Sequence, residues 1–74
     1  MKIQYYYSRY MNPSYADCKS VQDAIGMAWA DLENGDAWPT KITSDDQVLW
    51  DSAALATTES LVKFAKEWGM ELPY

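Results

Sequence analysis

The chain has 74 residues, a single cysteine, no histidine and a net charge of −5. That length supports one small domain spanning residues 1–74, and one cysteine excludes an internal disulfide. The missing histidine removes the commonest general base and a usual zinc ligand. The six bases, Lys2, Arg9, Lys19, Lys41, Lys63 and Lys66, are scattered, which argues against binding a nucleic-acid backbone or an anionic membrane.

Residues 2–10 (KIQYYYSRY) are rich in β-formers and carry no Gly or Pro, so they read as the first strand. Strand alternation puts Ile3, Tyr5, Tyr7 and Arg9 on one face and Gln4, Tyr6, Ser8 and Tyr10 on the other. The three consecutive tyrosines therefore cannot all enter one core. Either both faces are covered, or Tyr6 and Tyr10 form an open aromatic patch with hairpin neighbours such as Leu49. Met11 to Cys18 reads as a loop, because Asn12-Pro13-Ser14 is a turn signal. Cys18 just before a helix would have a lowered pKa, yet without a histidine it reads as a partly buried thiol, not a nucleophile.

The spacing of Val21, Ile25, Ala28, Trp29 and Leu32 predicts a helix from Val21 to Asn34. Ser20 is a suitable N-cap, Asp23 approximates a capping box, and Gly35 suits the left-handed stop. Gly26 inside this helix is expected to make room for tyrosines from the first strand. Pro39 to Asp51 predicts a hairpin, with arms Thr40–Thr43 and Gln47–Trp50 and a turn at Ser44-Asp45-Asp46. In it Val48 and Trp50 share a face, Pro39 opens the first arm and Trp38 closes the core edge. Ser52 to Ala56 links to a second helix capped by Thr57 or Thr58. Leu61, Phe64, Ala65 and Trp68 form its buried stripe, Gly69 ends it, and the tail MELPY follows.

The expected fold is α+β in the order β-α-β-β-α, a three-stranded, mainly antiparallel sheet packed with two helices. The start Met1-Lys2-Ile3-Gln4 lacks an apolar stretch of signal-peptide length, and no run reaches the ~20 apolar residues of a membrane span, so a soluble cytoplasmic protein is expected.

Asp31, Glu33, Asp36, Asp45, Asp46 and Asp51 lie within 21 residues, with Lys41 the one base among them. Three of them fall at or beyond the C-terminus of the first helix, where negative charge is unfavourable. Local rules are broken most often at functional sites. The bland reading of these acids is a solvated face; the functional one is recognition of a basic protein surface. Their spacing lacks the alternating ligands and turning Gly of a calcium loop, so neither a metal nor a cofactor is expected.

The size, the acidity, the β-α-β-β-α order and the stretch DAIGMAWADLENGDAWPTKI resemble small acidic phage and mobile-element accessory proteins of the anti-CRISPR inhibitor type. That resemblance implies a non-enzymatic protein, a DNA mimic in the host cytosol that occupies the basic surface of a nuclease or CRISPR effector. The expected partner-binding residues are Asp31, Glu33, Asp36, Asp45, Asp46 and Asp51 with Tyr6 and Tyr10. The alternative is an accessory domain that self-associates as a homodimer through its tyrosine-rich strand.

Overall fold

The computed structural model describes residues 1–52 and 57–73. In chain order the elements are β1 (Ile3–Arg9), β2 (Asn12–Cys18), α1 (Val21–Asn34), β3 (Trp38–Ser44), β4 (Gln47–Asp51) and α2 (Thr57–Glu67). The α+β class and the two helices are as expected. Among the described residues the sheet has four antiparallel strands, not three, in the order β2-β1-β3-β4. Of the expected Ser52–Ala56 linker, residues 53–56 lie outside the described residues, as does the terminal Tyr74.

The added strand is the segment read as a loop. Asn12 to Cys18 pairs residue for residue with β1, from Arg9↔Asn12 to Ile3↔Cys18. Pro13 is tolerated because β2 is the sheet edge, where a missing N–H leaves no ladder bond unmade. Tyr10 belongs to the two-residue connection and not to the strand. Tyr10 and Met11 both have positive φ (52° and 66°), the pattern of a type I′ hairpin turn. The β3–β4 connection is built the same way by Asp45 and Asp46 (49° and 69°). Because β2 reverses the chain before α1, the crossover delivers β3 to the free side of β1, antiparallel to it. With only three strands, that neighbour would have been parallel.

Helix α1 has the expected ends. Ser20 Oγ accepts from the Asp23 N–H at 3.1 Å, and Gly35 sits at φ 70° with its N–H donating to the Asp31 carbonyl at 2.8 Å. A Cβ at Gly26 would meet nothing within 4 Å, so that glycine makes no room for a tyrosine. Helix α2 closes with a Schellman pattern: Met70 N–H donates to Ala65 O and Gly69 N–H to Lys66 O. Trp68 falls beyond α2 and stays partly exposed, tilted against Phe64 at 6.3 Å between ring centroids.

Both helices pack on one face of the sheet. The core joins Ile3 and Tyr5 of β1, Ile42 of β3 and Trp50 of β4 to Val21, Ala24, Ile25 and Ala28 of α1 and Leu61, Phe64 and Ala65 of α2. Trp50 Nε1–H donates to Ser60 Oγ at 2.9 Å, tying β4 to α2. Tyr7 stacks on Tyr5 with centroids 5.4 Å apart, and Met70 and Leu72 of the tail close over the cluster.

Two bulges set which side chains face the other way. A register shift against β1 between Tyr6 and Tyr7 leaves Thr40 unpaired, so Pro39 turns to the core opposite Tyr7. Pro39 lies within β3 but beyond the pairing with β4, which begins at Lys41↔Asp51. A second shift leaves Leu49 unpaired, so Val48 and Trp50 occupy opposite faces, not one. Leu49 packs against the core instead of beside Tyr6.

Candidate functional site: the uncovered sheet face

Among the described residues, no helix packs on the second face of the sheet. Three cross-strand rows of side chains form it. The central row runs across all four strands as Tyr15, Tyr6, Lys41 and Asp51. Tyr6 and Tyr15 lie with centroids 5.6 Å apart, and Lys41 Nζ sits 4.6 Å from the Tyr6 centroid, in cation–π range. The row toward the β3–β4 turn is Asp17, Gln4, Thr43 and Val48. The row toward the β1–β2 turn is Pro13, Ser8 and Trp38.

Hydrogen bonds fix the centre of this face. The Tyr6 hydroxyl donates to Gln4 Oε1 at 3.0 Å, and Gln4 Nε2 donates to Asp17 Oδ1 at 3.1 Å. Gln4 is buried, so both ends of its amide are satisfied where an unmet group would be costly. Around this rigid centre, Tyr15, Trp38 and Val48 stand 55%, 54% and 49% exposed. They are large apolar side chains on a single surface, in a chain of only 74 residues. The face carries one lysine and two aspartates.

The expected site residues divide among three places. Tyr6 is on the uncovered face, half-buried. Asp51 is at the outer end of its row. Tyr10 is at the β1–β2 turn, four residues along from Tyr6, so the two do not make one patch; Tyr15 is the aromatic neighbour of Tyr6. Asp31 and Asp36, at the C-terminal end of α1, line one concavity with Tyr10 and Met11 of that turn, and Glu33 lies in the last turn of the same helix. Asp45 and Asp46 are at the opposite end of β3, roughly 20 Å away at strand rise. There Asp45 Oδ1 accepts from the Lys2 N–H at 2.8 Å, and the Asp45 N–H donates back to Lys2 O at 2.9 Å. The acids therefore do not merge into one surface.

Asp31 also has a structural bond, because Tyr5 Oη–H donates to its Oδ2 at 2.6 Å. Burial, reinforced by this carboxylate, pushes the Tyr5 phenol far above the ordinary tyrosine range. Cys18 goes the opposite way from the expected lowering. Burial comes first and the Asp23 charge second, and both push its thiol up. Its Sγ lies 3.6 Å from Met27 Sδ.

Tyr15, Trp38 and Val48 were not among the expected binding residues, and Trp38, expected to close the core edge, is instead 54% exposed. Tyr15 was hidden by the loop reading of β2, and Trp38 and Val48 by bulges that change which way they face. The available signal for Tyr15 was its Cys18-side alternation with Asp17 and Pro13, weak beside Asn-Pro-Ser. Compared with family models, curated proteins and solved structures, the chain gives no match.

Proposed function

We propose that this protein is a small acidic module that binds another protein through its uncovered sheet face. The observation that carries the reading is that face itself: Tyr15, Trp38 and Val48 exposed around a hydrogen-bonded Tyr6–Gln4–Asp17 centre. Aromatic side chains are enriched at the centres of interfaces, where they combine apolar area with a polar tip. The net charge of −5 favours a basic partner surface by steering and orienting its approach. In its specific form the module is an inhibitor. It occupies the basic, nucleic-acid-binding surface of a host protein such as a nuclease or CRISPR effector, and carries out no catalysis of its own.

The test compares wild type with the double variant Tyr15→Ser, Val48→Ser as immobilised baits. The expected result is a basic protein retained by wild type at low salt, released at high salt and not retained by the variant. Equal retention by both baits overturns the sheet face as the binding surface.

Self-association is the second reading, favoured by one observation: the exposed Tyr15 lies on the edge strand β2. Two copies joined along β2 would continue the tyrosine row across the junction. Sedimentation equilibrium decides it. A dimer that persists in high salt and is lost in Tyr15→Ser supports assembly; a monomer at all concentrations removes it.

A further inference from the structure

The end of the sheet next to Trp38 holds a concavity that the sheet-face reading does not use. It has a volume of about 850 Å³, and its walls include Tyr10, Met11, Trp38, Asp31, Asp36 and Arg9. Tyr10 and Met11, at the tip of the β1–β2 turn, are 91% and 93% exposed. With Trp38 they put two aromatic rings and a thioether around one cleft, and contiguous exposed apolar surface marks interaction sites.

The cleft is also electronegative for two separate reasons. Gly35 lines it, so the C-terminal end of α1 opens onto it. The last carbonyls of a helix carry partial negative charge, normally offset by a Lys or Arg in the final turn. Helix α1 has no basic residue in its last turn. Asp31 and Asp36 then add formal charge at the same end. The one cation in the lining, Arg9, sits 6.0 Å from the centroid of the Tyr7 ring.

Against these π faces, two carboxylates and an unneutralised helix end, Arg9 is the one cation among the described lining residues, and it lies by the Tyr7 ring, which leaves room for a second. Guanidinium suits the cleft better than ammonium. Its plane stacks on indole and phenol rings, its fork donates to carboxylates, and it sheds water more readily. We infer that this cleft takes an arginine side chain of the protein partner. The inference rests on the protein-binding reading and names the group recognised beside the sheet face. Trp38 belongs to both surfaces and joins them.

The test is a ¹H–¹⁵N NMR titration of the full chain with N-acetyl-arginine amide. N-acetyl-citrulline amide serves as the neutral isostere and N-acetyl-lysine amide as the competing cation. Saturable shifts at the Trp38 indole N–H and the Met11 and Gly35 amides are expected with arginine, weaker ones with lysine and none with citrulline. Asp36→Asn is expected to weaken arginine binding about three- to fivefold, the worth of one exposed charge pair. Arg9→Gln is expected to tighten it by a similar factor, because it removes the competing cation. Equal shifts with citrulline, or affinities unmoved by both variants, overturn the inference. Asp36 and Arg9 are exposed, so neither change removes core packing. Tyr15→Ser with Val48→Ser separates the two readings. If arginine does not bind while partner capture still depends on Tyr15 and Val48, the cleft fails and the sheet face stands. If arginine binds and partner capture ignores those residues, the sheet face fails and the cleft stands.

Discussion

Tyr5 is where the core meets the acidic end of α1. Its ring is fully buried, and its hydroxyl reaches the Asp31 carboxylate at 2.6 Å. Tyr5→Phe removes a hydrogen bond to a charged acceptor and is expected to destabilise the fold by about 1–2 kcal/mol at pH 8, read from urea melts. The phenol is pushed upward in the folded state, so the unfolded chain releases its proton first as pH rises past about 10. The Tyr5 contribution is therefore complete below that pH and is lost as pH rises above it. Urea melts at pH 8, 9.5 and 10.5 should show wild type losing stability faster than Tyr5→Phe, with the gap between them narrowing. Thr43 carries the opposite kind of polar group. Its Oγ1 is buried with no hydrogen-bond partner among the described residues. Thr43→Val keeps the β-branched shape and drops the desolvation penalty, so it should stabilise by about 1 kcal/mol by the same measurement.

Gly26 lies on the outer side of α1, with open space where a Cβ would be. Gly26→Ala should therefore stabilise the protein by up to about 1 kcal/mol through helix propensity alone, seen as a rise in Tm. A loss of stability would mean that the glycine has a packing role. Helices were the elements most legible in the sequence, because caps and periodicity are local. Ser20, Gly35 and the Val21–Ile25–Ala28 spacing specified α1 without reference to any neighbour. Strand β2 was illegible for the complementary reason. Asn-Pro-Ser is a turn signal in isolation, and only the vacant side of β1 makes it an edge strand. Tyr10-Met11 is not a sequence signature for a I′ turn, which favours Asn-Gly. The unread strand hid the reversal of direction, so the strand order was out of reach as well. The bulges at Thr40 and Leu49 had no local signal, and they decide that Trp38 and Val48 face outward. Of the site, the sequence carried Tyr6 and the acidic helix end; pairing carried the rest.

At the scale of the molecule, five of the six candidate acids divide between two ends of one sheet, with Asp51 in the row between them, and the effects of the two groups on partner binding should divide with them. For the basic protein captured by the wild-type bait, Asp36→Asn should lower affinity more than Asp45→Asn and Asp46→Asn together. Isothermal titration at low salt checks this, and a larger effect from the distant pair would place the partner at the β3–β4 turn. The two hairpin tips also differ in what holds them. Asp45-Asp46 is tied to Lys2 by paired bonds, whereas Tyr10-Met11 presents its side chains to solvent. A non-glycine residue held at positive φ costs about 1 kcal/mol, and less for Asp, whose short polar side chain tolerates that region. Replacing either tip with Asn-Gly should therefore raise Tm. Only the Tyr10-Met11 replacement should abolish the arginine-induced shifts. Thermostability and recognition can thus be adjusted independently, one turn at a time. A variant hardened at the Asp45-Asp46 tip would be a sturdier scaffold on which the cleft could be redesigned for other cations.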